Sequence, residues 1–431
     1  MKELEKIDIV ILGAGIAGLG AAQKAMELNQ EAVVFEKNNS AGGLLDNFSV
    51  DGFRFDNAVH LSFATEPQVR EVFDQVPYYT HPSDALNFET DKWLKHPVQN
   101  NLSPLKENEK VELIESFLAR PNSNKIENYE QWLRHQYGDA IAVRYPMRYT
   151  KKYWQCEAHE LSTTWIGNRM RRAELREILF GTYTTDTPNT YYTKEMRYPK
   201  KGGYKAFIKP LIKIADVRLN HEVVSIDLER KRVLFANGNI VKYKKLVNTL
   251  PLPVVIELCG ETVPRNIISC SNQLEATSID LISVGFNKKI IKDLWFYIYD
   301  EDIYASRAYS PSVKSPDNAP DGCSSLQFEF YNPCGQHNFS KQELVDNVLY
   351  ALGKMNIATK EDILFAHHKY LPWGNVVFKH GMEENKKMVH EYLKLNNVEC
   401  AGRFGMWDYF WSNQAMLSGH MAIDRIVSGK I

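Results

Sequence analysis

Apolar and polar positions recur along this chain with two different periods, and the switches between them mark its elements. Residues 9–12, Ile-Val-Ile-Leu, form a short β-branched run of the kind that makes a buried parallel strand. Behind it Ala21, Ala22 and Ala25 fall at helical spacing, and residues 32–35 are a second apolar strand ending on Glu36. Strand, helix and strand in that order predict a βαβ unit. Residues 48–56 alternate apolar and polar across Asp51-Gly52, which predicts a hairpin. Residues 66–140 are richer in charge and read as helical in parts, with breaks at Pro82, Pro97 and Pro104. A loop with Gly202-Gly203 opens a helix over 204–214, and residues 217–250 are strand-rich around an Asn237-Gly238 turn. Alternation returns at 278–286, 295–299, 306–309 and 326–330, which predicts four antiparallel strands. Finally a strand near 398 runs into Gly402, and after an aromatic loop a helix carries Ala415, Gly419, Ala422, Ile423 and Ile426 on one face.

The turn inside the first βαβ unit carries chemistry. Gly13-Ala14-Gly15-Ile16-Ala17-Gly18 matches the G-x-G-x-x-G turn of dinucleotide sites. Gly13 permits the tight turn, Gly15 lets a pyrophosphate approach the backbone, and Gly18 lets helix and strand touch. Phosphates would then meet the unpaired N–H groups and the positive end of the helix. Three such glycines alone are weak evidence; the preceding strand, the following helix and the acid at the end of the next strand make the pattern specific. Glu36 is placed to take ribose hydroxyls, which argues against a 2′-phosphate.

Composition changes this picture little. At 431 residues the chain exceeds one simple core and should divide into two or three interleaved domains. Its 44% hydrophobic and 24% charged residues are ordinary for a soluble enzyme, and a net charge of −1 gives no electrostatic reason to expect nucleic acid or a membrane. The six cysteines show no C-x-x-C pair and no metal-ligand spacing, and read as buried thiols of a reducing compartment. Glu3, Glu5 and Asp8 make the leader acidic where a signal peptide needs positive charge, and no run reaches the ~18 apolar residues of a membrane span. A soluble, cytoplasmic protein is expected.

Some side chains have two readings each. Gln99-Asn100-Asn101 behind Pro97 is either a solvated turn or a dense set of amide donors and acceptors. Arg169, after Trp154 and Trp165, is either on a basic solvent face or aimed inward at a phosphate. Arg307 among aromatics is either a cation–π contact or a buried anion ligand. A helix opening after residue 411 would aim its positive end at a ligand seated before it, where it would stabilise negative charge.

The acid at the end of strand two, the diglycine Gly42-Gly43 and the hairpin together resemble the FAD-binding half of glutathione-reductase-type flavoproteins, so FAD is favoured over NAD. The resemblance implies an α/β fold: a Rossmann-like FAD-binding domain from residues 1–65, 196–250 and 395–431, a mainly helical insertion over 66–195, and an antiparallel-sheet substrate domain over 251–394. It also implies cofactor contacts from Gly13, Gly15, Ile16, Ala17 and Gly18, from Glu36, Lys37, Gly43 and Leu44, and from Val224 near the adenine.

Over nearly its whole length, and in the same order, the chain resembles the UDP-galactopyranose mutases, the eukaryotic-type branch most of all. The resemblance is carried by the glycine turn, His60 after the hairpin, residues 97–101, Tyr149 with Trp154, Trp165-Ile-Gly-Asn-Arg169, Arg197-Tyr-Pro199, Trp295-Phe-Tyr297, Arg307-Ala308, and Gly402-Arg403-Phe404-Gly405 with Trp407, Tyr409, Asn413 and Gln414. It implies that Arg169 and Arg307 clamp a substrate pyrophosphate, helped by Tyr297 and Tyr409. Gln99, Asn100 and Trp154 would lie on the substrate side, towards the uridine. His60 would lie beside the flavin, with Gly402, Arg403, Asn413, Gln414 and Met416 supporting it. The implied reaction is a pyranose–furanose ring contraction of a nucleotide sugar, serving cell-surface polysaccharide such as lipopolysaccharide. It runs through attack of reduced flavin N5 on the anomeric carbon, so it needs reduced FAD and a reductant such as NAD(P)H. Four departures stand out: Ala58-Val59 before His60 in place of Gly-Gly, His96 for a tyrosine, Thr150 for an asparagine and Trp373 for a tyrosine. His96, Thr150 and Trp373 leave the nucleotide sugar open, and Ala58-Val59 removes a hinge whose loss is tolerated by an alternative: an FAD oxidoreductase of the amine-oxidase or protoporphyrinogen-oxidase type. A non-catalytic FAD scaffold is the third reading.

Overall fold

The short apolar run at 9–12 is the buried end of a longer strand, Glu5–Leu12, in the computed structural model, which describes residues 5–122, 125–167, 174–188 and 195–429. It is buried because it lies between two parallel partners, Ala32–Phe35 and Ile240–Asn248. Ile240–Asn248 in turn pairs antiparallel with Arg232–Phe235 through its first residues and parallel with Val398–Cys400 through its last. Pieces from the beginning, middle and end of the sequence therefore share one sheet of seven strands.

The first helix, Ile16–Glu27, lies across the last one, Ser412–Val427, backbone against backbone. A Cβ on Gly419 would stand 2.1 Å from the Ala17 carbonyl oxygen, and one on Gly20 2.6 Å from that of Met416. The small residues at 415, 419 and 422 thus serve close approach, and this crossing holds the glycine turn against the C-terminal segment.

The second sheet runs in the order Ile363–Leu371, Thr277–Phe286, Ser324–Pro333, Arg307–Tyr309, Trp295–Ile298, Leu86–Glu89, Lys92–Lys95. The four strands expected from alternation are neighbours in it, all antiparallel. Its last two strands come from the segment expected to be mainly helical. Their tight turn at Thr90 and Asp91, both at positive φ, lacks the glycine that announces such turns. Tyr78–His81 likewise pairs with Met196–Pro199. Among the described residues the α-helices of that segment are Pro67–Phe73, Glu107–Leu118, Tyr129–Tyr137, Asp139–Ala142, Arg148–Trp154 and Leu175–Tyr183.

Three smaller expectations are corrected. The helix over 204–214 is a 3-10 turn, Tyr204–Ile208, followed by Lys209–Ile214, because Pro210 has no N–H to continue one α-helix and instead starts a new one. Asn100 and Asn101 are buried, not a solvated turn. Of the cysteines, all free, only Cys259 and Cys400 are buried, and Cys334 is exposed. Among the described residues no helix is long and apolar enough to cross a membrane.

Candidate functional site

One long cavity of about 1590 Å³ is walled by the glycine turn, both sheets and the helices between them. At one end Gly13 bends the chain at φ +99°, and a Cβ on Gly15 would have no protein atom within 4 Å, so the helix N-terminus faces open cavity. Gly18 does not reach the wall; it lies beneath the turn, where a Cβ would stand 2.0 Å from the Gly13 carbonyl oxygen. Glu36 is buried, accepting from the Ala14 amide (2.8 Å) and from Asn38 N and Nδ2 (3.0 and 2.7 Å). Gly43, at φ +58°, lies so near Gly15 that a Cβ would come within 3.1 Å of its Cα. Asn57 on the same wall donates to the Gly43 carbonyl (3.3 Å), while its buried Oδ1 has no partner. An open glycine cradle on a helix N-terminus, an acid at the ribose position and an orphan acceptor beside them fit a flavin dinucleotide. Ile16, Ala17, Lys37, Leu44 and Val224 line the same half.

Midway stands His60. The preceding Ala58 occupies the left-handed region at φ +69°, which costs an alanine roughly 1–2 kcal/mol. The strain is held by a bond from the Val59 amide to Glu329 Oε1 (2.8 Å). His60 Nδ1 lies 3.1 Å from the Ala58 carbonyl, and its ring centroid 5.2 Å from that of Tyr204. Burial lowers its pKa to about 4, outweighing the pull of Asp56, so the imidazole is neutral near pH 7.

The far half is an aromatic slot around Arg307. Tyr297 stands directly across the strand pair from Arg307. The guanidinium Nε bonds Glu329 Oε2 at 2.5 Å, a second nitrogen donates to Tyr331 Oη (3.0 Å), and the group lies 5.2 Å from the Tyr153 ring centre. Burial opposes this charge, but the Glu329 carboxylate holds it firmly protonated. Tyr149 and Tyr153, one helical turn apart, stack at 5.3 Å, and the Tyr153 and Tyr409 hydroxyls share a 2.9 Å hydrogen bond. Gln99, Trp154, Tyr297 and Tyr409 all line this half. Arg403 and Gly402 line it where the halves meet, Arg403 donating to the Phe410 carbonyl (2.7 and 3.0 Å) and so bracing the aromatic loop. Such a slot, with one paired guanidinium and several phenols, can bind an anionic group joined to a flat ring.

The sequence-derived set is not all on the wall. Arg169 lies outside the described residues. Asn100 is turned away, donating to Glu177 Oε2 (3.2 Å). Asn413 donates to Glu66 Oε1 (2.8 Å), and Gln414 caps its own helix by accepting from the Trp411 amide (3.0 Å). Met416 is fully buried at the helix crossing. Gly18, Asn100, Asn413, Gln414 and Met416 therefore support the site from behind. Of the departures, His96 and Trp373 line the cavity; Thr150 does too, but spends its hydroxyl on the Pro146 carbonyl (2.7 Å). Sequence reasoning missed Glu329, Tyr331, Tyr153 and Asn57. Glu329 had a signal: an acid between Phe328 and Phe330 in an apolar strand.

Comparison with known proteins agrees with this architecture. The model of the flavin-containing amine oxidoreductases matches residues 16–393. A crystal structure of reduced UDP-galactopyranose mutase superposes with a TM-score of 0.91 at 22% identity, over 98% of this chain and 96% of that one. Cyclohexylamine oxidase from Brevibacterium oxydans IH-35A superposes with a TM-score of 0.69 at 15% identity, over 98% and 99%. At these identities the likeness shows a shared fold. A 4,4'-diapophytoene desaturase (4,4'-diaponeurosporene-forming) of Staphylococcus aureus (strain COL) is 44% identical over 48 residues, 11% of this chain and 10% of the desaturase. The family match spans most of the chain, and the cavity has the cradle such a cofactor needs: this protein belongs to the flavin-containing amine oxidoreductase family.

Proposed function

We propose that this flavoprotein binds FAD and isomerises a nucleotide sugar between pyranose and furanose forms, in the manner of the UDP-galactopyranose mutases. The observation that carries this reading is the continuity of the cavity: the dinucleotide cradle opens directly into a slot whose half-buried cation, Arg307, is ringed by Tyr153, Tyr297 and Tyr331. The guanidinium is already paired with Glu329, so donors rather than net charge favour a diphosphate: it accepts hydrogen bonds from a guanidinium and from phenols, which an ammonium cannot do.

In this reading Arg307 holds the diphosphate as negative charge grows on it, with the Tyr297 and Tyr409 hydroxyls as further donors and Arg169 as a second cation. Gln99 and Trp154 receive the nucleoside. His60, neutral, adds no charge beside the cofactor and stands as a hydrogen-bonding and packing group. When bound and reduced, the flavin supplies the nucleophile. A place in cell-surface polysaccharide assembly follows from such a product.

The FAD-loaded protein, reduced with dithionite under anaerobic conditions, should interconvert UDP-galactopyranose and UDP-galactofuranose, resolved by ion-exchange chromatography. No turnover, and no change in the flavin spectrum with any nucleotide sugar, would remove the reading. A second reading, FAD-dependent oxidation of an organic substrate, draws on Ala58-Val59, which ties the His60 segment to Glu329 rather than leaving a glycine hinge. It expects rapid flavin reduction by substrate and oxygen uptake.

A further inference from the structure

The aromatic slot is formed by two elements that touch mainly through side chains. One wall is the helix Arg148–Trp154 with Tyr149, Tyr153 and Trp154; the other is the pair Trp295–Ile298 and Arg307–Tyr309, with Tyr297 opposite Arg307. The second wall is short, with three paired positions, and residues 299–306 loop out beyond it.

Lys152 crosses between the two. Its Nζ lies 3.1 Å from the Ile298 carbonyl oxygen, 2.5 Å from that of Asp300, 2.6 Å from Ile303 and 3.2 Å from Ala305. An ammonium has three N–H groups, so four carbonyls at this range enclose it as oxygens enclose a cation, and the loop closes around it. The other side of the loop is tied separately: Lys354 bridges Asp300 and Asp302 (2.7 and 2.8 Å), and Asn347 Oδ1 accepts from the Tyr304 amide (2.8 Å). Lys152 bonds the loop main chain to the helix, beside a Tyr149–Tyr299 ring contact at 6.3 Å; it lies one residue from Tyr153 and three from Tyr149, whose ring centroid lies 5.4 Å from that of Tyr297.

We propose that Lys152 is a positioning residue: its caged Nζ fixes the loop between Tyr297 and Arg307 against the tyrosine helix, and so sets the width of the slot in which an anionic ligand reaches Arg307. Lys152 does not touch the ligand. It acts through the main chain, whose four carbonyl acceptors take a donor-only group entering from the helix. The identity of the ligand, a nucleoside diphosphate, rests on the proposed function; the clamp itself does not.

Two measurements on the flavin-loaded protein test this. Hydrogen exchange across residues 298–307, where the Ile298, Tyr299, Ile303 and Ser306 amides are bonded, should quicken at least tenfold in Lys152→Met, while the strand Glu5–Leu12 keeps its protection. In Lys152→Ala, which leaves the cage empty and a channel to it, added propylammonium should restore much of that protection, and in Lys152→Met it should not. The dissociation constant for UDP, read from the flavin spectrum, should rise at least tenfold in Lys152→Met at unchanged flavin content. Exchange within twofold of wild type, or unchanged UDP affinity where wild type binds UDP, overturns the proposal. Absence of UDP binding in wild type instead counts against the nucleotide-sugar reading, and the exchange measurement still decides the clamp. If Lys152→Met does not fold, Lys152→Gln, with a neutral donor of similar length, is held to the same outcomes.

Discussion

Half-buried Arg307 and fully buried Glu329 form an ion pair, Nε to Oε2 at 2.5 Å, and the second oxygen of the same carboxylate holds the Val59 amide. One side chain with no solvent exposure thus fastens both the substrate-side cation and the strained segment that carries His60. Losing its charge would leave the half-buried guanidinium without its counter-ion, which costs less than the ~3–5 kcal/mol of a fully buried pair because Arg307 faces the cavity. Glu329→Gln should therefore lower the urea midpoint sharply, and adding Arg307→Met should recover part of the loss, since the double variant buries no lone charge. Additive losses in the double-mutant cycle would show that the pair is not coupled.

Two histidines make the fold sensitive to acid. Burial lowers the pKa of both His60 and His96 from 6.5 to about 4. Between those values the unfolded chain binds protons that the folded chain does not, so stability falls as pH drops from about 6.5 to 4, by roughly 3 kcal/mol for each group. His81, His390 and His420, also lowered by burial, add in the same direction. His96→Phe should retain more of its neutral-pH stability at pH 4.5 than wild type does, by denaturant titration at both pH values. An equal fall in both proteins would exclude this role.

The parts legible in the sequence are those in which local pattern and tertiary role coincide. The first βαβ unit could be read because its strands are buried on both faces and its glycines sit at the G-x-G-x-x-G spacing that the turn requires. The hairpin at 86–95 could not: its turn uses Thr90 and Asp91 in conformations that glycine or asparagine usually marks, and its inner strand finds a parallel partner more than two hundred residues away. Arg307 was visible as a cation among aromatics, but its partner Glu329 lies on a different strand, and pairing across strands is set by register, which alternation alone does not specify. Asn413 and Gln414 were expected to support the cofactor, and their side chains serve Glu66 and the helix cap. Direction of a side chain follows from packing, not from position.

The crossing of the first and last helices should tolerate no extra methyl. A Cβ on Gly419 would meet the Ala17 carbonyl oxygen at 2.1 Å and the Ala21 nitrogen at 2.7 Å, both backbone atoms that cannot swing aside. Gly419→Ala should destabilise by about 1–3 kcal/mol or more through forced separation of the helices. Gly353→Ala is the control: it lies in Lys341–Lys354 with nothing within 4 Å of its Cβ, so it should stabilise by roughly 0.4–1 kcal/mol. Thermal unfolding of the two variants should move in opposite directions.

Within the glycine turn, two residues three apart should separate folding from cofactor binding. Gly15 has φ −73° and ψ 176°, a backbone that alanine adopts freely, and its Cβ would project where no protein atom lies within 4 Å. Gly15→Ala should leave the flavin-free protein as stable as wild type. In the cradle, however, that methyl takes the space a pyrophosphate needs against the helix N-terminus; overpacking of about 1–3 kcal/mol corresponds to roughly a tenfold to hundredfold weaker FAD. Gly18→Ala places its methyl 2.0 Å from the Gly13 carbonyl oxygen and 3.3 Å from the Ile11 side chain, beneath the turn and away from the cavity. It should lower the stability of the flavin-free protein itself, with FAD affinity falling as a consequence. Flavin-free melting temperature and FAD titration, measured on both variants, distinguish the two roles. If Gly15→Ala binds FAD as wild type does, the pyrophosphate does not lie against this turn.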